Sequence, residues 1–125
     1  MRKKLLLFRA DQDRVREIRR LVRKMDIEVE GIERPMYGQK IGYLAGMIGF
    51  AEERRVYMGE ELAEEMMLLV GFGQRDLDWL LAAWKEMAVP GVKLKALVTK
   101  TNIQWTPPRL FQELREEDEQ MNPGR

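Results

Sequence analysis

The sequence predicts an α/β domain in which two successive β-α-β units form one four-stranded sheet covered by helices. Continuous apolar runs occur twice, at 5–8 and 66–70, and each precedes a segment with apolar residues at three- and four-residue spacing. Sliding the chain by 62 positions sets Leu6 on Leu68 and Ile18 on Leu80. Two similar modules are therefore expected, whether they arose by internal duplication or because strand-helix units resemble one another.

The length of 125 residues fits one domain, because a domain of this size can bury enough apolar surface to fold without disulfides or metals. We divide this single domain into a first module at 1–34, a connector at 35–65 with a short helix, and a second module at 66–121 that includes a C-terminal helix.

The first module begins with the apolar run at 5–8, which is typical of a central strand covered on both faces. Asp13 is placed to cap the helix that follows. The apolar stripe of this helix consists of Val15, Ile18, Leu21, Val22 and Met25. Apolar residues alternate with glutamates over 27–32, and this period of two predicts an edge strand with one exposed face.

The connector has Ile41, Leu44, Ala45 and Ile48 at helical spacing, interrupted by glycines. This spacing favours a short helix that packs on the core, and a mobile lid over a pocket is the alternative.

The second module repeats the order of the first and adds a helix. The run at 66–70 predicts a strand, and Pro90 and Gly91 end the helix after it. The apolar stripe of that helix consists of Leu77, Leu80, Leu81, Trp84 and Met87. A short strand at 94–99 follows, and Thr106 and Pro107 suit the N-cap and first position of a last helix.

The strand order follows from the burial pattern. Continuous apolar runs belong at the centre of a sheet and the alternating run at an edge, so we predict the order 2-1-3-4. A ferredoxin-like order remains an open alternative.

The composition excludes several kinds of chemistry. The net charge of +1 does not favour nucleic acid or anionic lipid as a partner. The sequence contains no histidine, cysteine or serine, so it offers no Ser-His or Cys-His pair and no typical zinc site. We expect no cofactor and no metal.

The same composition bears on location. No apolar run is long enough to cross a membrane, no export signal is visible, and the absence of cysteine suits a reducing compartment. We expect a cytoplasmic protein.

Two charged or glycine-rich features are weak candidates for binding sites. The predicted helix of the first module carries a basic strip. A solvated helix face is a simpler interpretation of this strip than a nucleic-acid surface. The strip consists of Arg16, Arg19, Arg20, Arg23 and Lys24. The turn at 71–73 resembles a phosphate loop, but Asp76 would compete with a phosphate there, so we interpret it as a tight turn.

The strongest candidate is a loop at 99–106, which we call the Thr-Asn-Trp loop. It gathers Thr99, Thr101, Asn102 and Trp105 just after a predicted strand, where open α/β folds bind ligands. These side chains are suited to a small polar ligand or a partner's backbone. The alternative is structural, with Asn102 shaping the turn and Trp105 packing on the last helix. Trp79 lies off the apolar stripe of its helix and is a second contact candidate.

The second module resembles a family of small bacterial proteins known only as a domain of unknown function. The resemblance is carried by 94–99, Thr101, Asn102 and Trp105, and then Leu110 and 113–114, and it spans roughly 65–118. It implies a bacterial origin and directs attention to the Thr-Asn-Trp loop. It implies no activity, cofactor or catalytic residue.

The sequence supports three hypotheses for the function of this protein. The leading hypothesis is a non-enzymatic protein-interaction or regulatory module that binds an unknown partner or itself. The alternative is a metabolite sensor with a pocket between the loops at 9–13, 71–74 and 99–105. An enzyme that uses Asp11 or Asp13 with Lys100 is the least favoured, because nothing brings these residues together in the sequence.

Overall fold

Strands and helices alternate along the chain in the predicted order, as a computed structural model of residues 2–121 describes it. The strands are β1 (Lys4–Phe8), β2 (Glu28–Ile32), β3 (Met66–Val70) and β4 (Leu94–Leu97). The α-helices are α1 (Gln12–Leu21), α2 (Ile41–Leu44), α3 (Gln74–Glu86) and α4 (Pro107–Met121), with short 3₁₀ turns at Arg34–Gly38 and Asn102–Gln104.

The four strands form one sheet in the order β2-β1-β3-β4, which confirms the predicted order over the ferredoxin-like alternative. Each β-α-β unit has a parallel pair, β1 with β2 and β3 with β4, whereas the central strands β1 and β3 are antiparallel. The central register sets Leu6 opposite Leu68, the two residues that the 62-residue offset superposes. The two units are thus arranged about a local two-fold axis normal to the sheet.

The antiparallel centre decides which loops are neighbours. Strands β1 and β2 end at one end of the sheet, and β3 and β4 end at the opposite end, about 13–16 Å away for strands of this length.

Both faces of the sheet are covered, which explains the continuous apolar runs. On one face, α1 and α3 pack over alternate residues of the central strands, including Leu5, Leu7 and Met67. On the other face, the connector and α4 pack over Leu6 and Phe8. The core residues of β1 and β3 are almost fully buried, whereas β2 at the edge buries only Val29 on one face and Ile32 on the other.

The start of α1 differs from the prediction. Asp11, and not Asp13, is the N-cap, because its carboxylate accepts a hydrogen bond from the backbone N–H of Arg14 at 2.8 Å. Asp13 lies within the first turn and pairs with Arg16. The start of α4 at Pro107 is as predicted, with the Thr106 carbonyl accepting the first helical hydrogen bond, from Leu110 N–H at 3.1 Å.

The connector forms only one turn of α-helix on the core. Ile41 and Leu44 are buried as the spacing predicted, but the helix ends before Gly46, whose φ of +77° reverses the chain. Ile48 is therefore fully exposed, and its inclusion in the apolar stripe was wrong.

The stripe of α3 was also too broad. Leu80 and Trp84 are buried, whereas Leu81 points about 100° around the helix from Leu80 and Met87 is the C-cap beyond the last turn, so both are exposed. Within residues 2–121, none of the helices is long and apolar enough to span a membrane.

Candidate functional site

The Thr-Asn-Trp loop is held together by its own polar groups. Asn102 is only 5% exposed; its side-chain oxygen accepts from Thr99 N–H at 2.9 Å and its amide donates to the Leu97 carbonyl at 2.9 Å. The Asn102 N–H donates in turn to the Thr99 hydroxyl at 3.0 Å. These bonds turn the chain from β4 toward α4, so the Asn102 side chain supports the loop from within.

The other members of the loop face different surroundings. Trp105 is half-buried against the core, its carbonyl accepts from Ile41 N–H at 2.7 Å, and Arg109 stacks on its ring at 4.8 Å. Thr99 and Thr101 are exposed. The exposed residues of this loop are therefore Thr99, Lys100, Thr101 and Gln104, and its role in binding stays a prediction.

Trp79 is not part of the same surface. It is 66% exposed on α3, which covers the face of the sheet opposite to that on which Trp105 packs. Met87, two turns further along α3, is also exposed. The structure thus separates the two groups of candidate residues that the sequence singled out.

The predicted three-loop pocket does not form. The loop at 9–13 follows β1, whereas the loops at 71–74 and 99–105 follow β3 and β4 at the opposite end of the sheet. The same geometry separates Asp11 and Asp13 from Lys100. Antiparallel pairing of the two units, which the sequence pattern does not reveal, is the reason.

A cleft lies instead at the carboxyl ends of β1 and β2, and we call it the arginine cleft. Its volume is about 780 Å³. It is lined by the start of α1, the end of β2 and Glu61, and its basic side chains are Arg9, Arg16, Arg19 and Arg34. Asp11, Glu33 and Glu61 supply its negative charges.

Topology explains why the cleft is there. After β1 the chain crosses to α1 on one face of the sheet, and after β2 it enters the connector on the other face. Two adjacent parallel strands whose connections leave to opposite faces open a crevice between them, which is where α/β folds bind ligands. Gly31 helps to shape it, since a Cβ there would lie 3.0 Å from the Val15 side chain.

Several polar groups of the cleft are already engaged. Asp11 caps α1, and Arg19 donates to the Val29 carbonyl at 2.9 Å. Glu61 accepts from the Tyr37 hydroxyl at 2.7 Å and from Leu62 N–H at 2.8 Å. Within residues 2–121, by contrast, neither Arg9 nor Arg34 forms an ion pair.

Tyr37 lies in the core behind the cleft and is hydrogen-bonded to two of its lining residues, Arg9 and Glu61. It is buried, and its hydroxyl accepts from Arg9 N–H at 3.1 Å while donating to Glu61. Burial, and then the hydrogen bond to the Glu61 carboxylate, raise the pKa of Tyr37 far above its usual value, so the phenol stays protonated and remains a donor.

Sequence reasoning missed this cleft, although a signal was present. Arg9 directly follows a central strand, and Arg34 lies two residues after the strand paired with it. Arg16 and Arg19, which the sequence assigned to a solvated strip of α1, also line the cleft together with residues of β2.

The part of the chain that the structure describes contains no group of three or more acidic side chains arranged to hold a metal ion. The arginine cleft carries four guanidinium groups, which bind anions, beside three carboxylates.

The fold and cleft define an α/β domain with a mixed four-stranded sheet and a ligand-sized cleft at one end. Residues 65–121 match the model of a domain of unknown function, DUF3783, which confirms the resemblance of the second module. Searches of curated proteins and of solved structures found no match. The matched segment contains Trp79 and the Thr-Asn-Trp loop, whereas every residue that lines the arginine cleft lies outside it.

Proposed function

We propose that this protein is a non-enzymatic regulatory module that binds a small ligand in the arginine cleft. The observation that carries the proposal is a cleft of about 780 Å³ at the one point where β1 and β2 send their connections to opposite faces. This volume lies in the range of roughly 300–1,000 Å³ that small-molecule sites occupy.

The side chains of the cleft support binding over catalysis. The sequence supplies no histidine, cysteine or serine that would act as base or nucleophile. Two of the three carboxylates in the cleft, Asp11 and Glu61, already accept backbone hydrogen bonds. They are thereby committed to holding the fold.

A regulatory role follows from the segments that meet at the cleft. Arg9 belongs to the β1–α1 loop, Arg34 to the end of the first module, where the 3₁₀ turn begins, and Glu61 to the part of the connector that leads into β3. A ligand that contacts all three joins segments that are far apart in sequence. Binding would then stabilise the connector, which is how occupancy would be transmitted to a partner.

A thermal-shift screen of a metabolite library tests the proposal. The control pair is Gln12→Trp, which places a ring in the cleft, and Gln112→Trp on the exposed surface of α4 on the opposite face. A true ligand raises the Tm of the wild type and of Gln112→Trp but not of Gln12→Trp, with about 2.7 kcal/mol of stabilisation at 100 times its Kd. A screen without stabilisation, or equal stabilisation of Gln12→Trp, would overturn it.

Protein interaction is the second candidate function, and the exposure of Trp79 favours it. A tryptophan that is 66% exposed, with exposed Met87 two turns away, is costly in water and typical of interface anchors. Self-association is tested first, by sedimentation velocity over a range of concentrations.

A pull-down from native lysate then compares the wild type with Trp79→Ala and with Lys85→Ala, an exposed control on the same helix. The interaction function requires a specific partner, or a dimer, that Trp79→Ala loses and Lys85→Ala keeps. A monomer that recovers nothing specific would contradict it.

A further inference from the structure

We infer that the ligand of the arginine cleft is a small anion with a phosphate or carboxylate group, held between Arg9 and Arg34. This inference rests on the proposed function and adds the chemical class of the ligand and the two side chains that select it. Three observations lead to it: the positions of the two arginines, their lack of partners, and the fixed backbone beneath one of them.

The two arginines stand on either side of the crevice. The parallel register pairs Phe8 with Ile32, so these strand ends lie side by side, about 5 Å apart. Arg9 follows the first strand and Arg34 the second, and both line the cleft. The connections that follow β1 and β2 leave to opposite faces of the sheet, so a ligand in the crevice lies between the two guanidinium groups.

Both guanidinium groups are available to a ligand. Arg14, Arg16 and Arg19 make contacts within the protein, but among residues 2–121 no carboxylate pairs with Arg9 or Arg34. A guanidinium binds phosphate and carboxylate through two parallel hydrogen bonds, a geometry that a neutral ligand does not reproduce.

The backbone that carries Arg9 is held in an unusual conformation. Its φ of +59° is in the left-handed region, which a residue with a side chain seldom adopts. The Tyr37 hydroxyl accepts the Arg9 N–H, and Tyr37 is itself held by Glu61. The direction in which Arg9 leaves the strand is therefore set from the core.

The acidic residues of the cleft limit the kind of anion. Glu33 and Glu61 line the same cleft as the arginines, so a long polyanion such as nucleic acid would be repelled. A compact ligand with an anionic group at one end and hydroxyl or amino donors at the other can pair with both the arginines and the carboxylates of the cleft.

Isothermal titration calorimetry with glycerol 3-phosphate and with glycerate, each of which has one anionic end and hydroxyl groups at the other, tests the inference at low and high salt and separates phosphate from carboxylate preference. The variants are Arg9→Gln and Arg34→Gln, and Arg20→Gln is the matched control because it removes the same charge from an exposed position of α1 outside the cleft. We expect at least one probe to bind, more weakly at high salt, and each cleft variant to lose about 10- to 100-fold in affinity.

The outcomes distinguish this inference from the function on which it rests. Absence of binding by both probes, or an equal loss in Arg20→Gln, would overturn the anion assignment. If the metabolite screen then finds a neutral ligand that Gln12→Trp excludes, the cleft still functions as a binding site. If either probe binds Gln12→Trp as well as the wild type, the anion site lies elsewhere and the anion assignment fails, whereas the metabolite screen still decides the proposed function. Unfolding midpoints of all variants show whether Arg9→Gln remains folded, and Arg34→Gln provides the test at a position without left-handed backbone.

Discussion

The position of Asn102 in the sequence fits two interpretations, a ligand site and a turn. An asparagine beside threonines after a strand suits a ligand site, and it equally suits a turn that needs its own hydrogen bonds. The structure places its amide between Leu97 and Thr99 and leaves it 5% exposed. The Asn102 side chain thus links β4 to the 3₁₀ turn that precedes α4.

We expect Asn102→Ala to lower the free energy of unfolding by about 1–3 kcal/mol, because it removes two hydrogen bonds from the loop and leaves their backbone partners unpaired. Thr101→Ala is the control: this threonine is exposed and its side chain makes no cap hydrogen bond, so less than about 0.5 kcal/mol should be lost. Urea unfolding measures both. Equal stability of Asn102→Ala and the wild type would show that the side chain is free for another role.

Asp76 makes a pH-dependent contribution to the free energy of unfolding. Its carboxylate accepts a hydrogen bond from Gly73 N–H at 2.8 Å at the start of α3, which is the main reason that its pKa is lowered, and Lys3 lies 3.5 Å away. A lowered pKa means that the folded protein binds the proton less tightly than the unfolded chain does. The stabilisation is therefore present above the ordinary pKa of 3.8 and is lost as the pH falls below it.

Asp76→Asn keeps an oxygen acceptor but removes the charge, so we expect it to be less stable than the wild type near neutral pH, and this difference to be smaller at about pH 2.5, below the ordinary pKa. Denaturant midpoints at the two pH values provide the measurement. A difference that stays the same or grows in acid would refute this sign.

At the scale of secondary structure, Arg14 links the first module to the last residue of the connector, Glu65, and to the second module at Gly91. The Arg14 guanidinium on α1 donates to both oxygens of Glu65, at 2.9 and 2.8 Å, just before β3. It also donates to the Gly91 carbonyl in the α3–β4 loop and lies over the Trp84 ring. The hydrogen bond to Glu65 is the main cause that raises the pKa of Arg14, which keeps it charged.

Arg14→Lys should cost about 1–2 kcal/mol, since a lysine ammonium cannot make the paired hydrogen bonds to Glu65 or the stacking on Trp84. Arg16→Lys is the matched change on the same helix; its pairing with Asp13 is exposed, so a loss below about 0.5 kcal/mol is expected. Thermal or urea unfolding compares them, and similar losses would mean that the paired geometry of Arg14 adds little.

At the scale of the whole molecule, the sheet depends on the central pairing of the modules. Strand β3 is buried on both faces and paired on both edges, by β1 and by β4. The segment 65–121 that matches the domain of unknown function contains only one half of this arrangement. Alone, it would expose the edge of β3 and the apolar face that the connector covers.

We therefore expect a fragment of residues 65–125 to form no folded monomer, because the edge of β3 and Leu68 would lose their cover. Circular dichroism with sedimentation velocity at two concentrations would find either an unfolded chain or a self-associated one. A monomer with cooperative unfolding would disprove this dependence on the first module.

The sequence by itself determined the four strands and their order along the chain and favoured their observed order in the sheet, because a strand covered on both faces leaves a continuous apolar run and an edge strand does not. It also predicted the start of α4, where Pro107 suits a first helical position.

Only the tertiary structure decided that β1 and β3 run antiparallel, and with that where the arginine cleft lies and which loops are neighbours. The physical reason is that the hydrophobic pattern of a central strand is the same in either direction. Its direction is set by the path of the connector, whose exposed Ile48 and single helical turn carry little periodic signal.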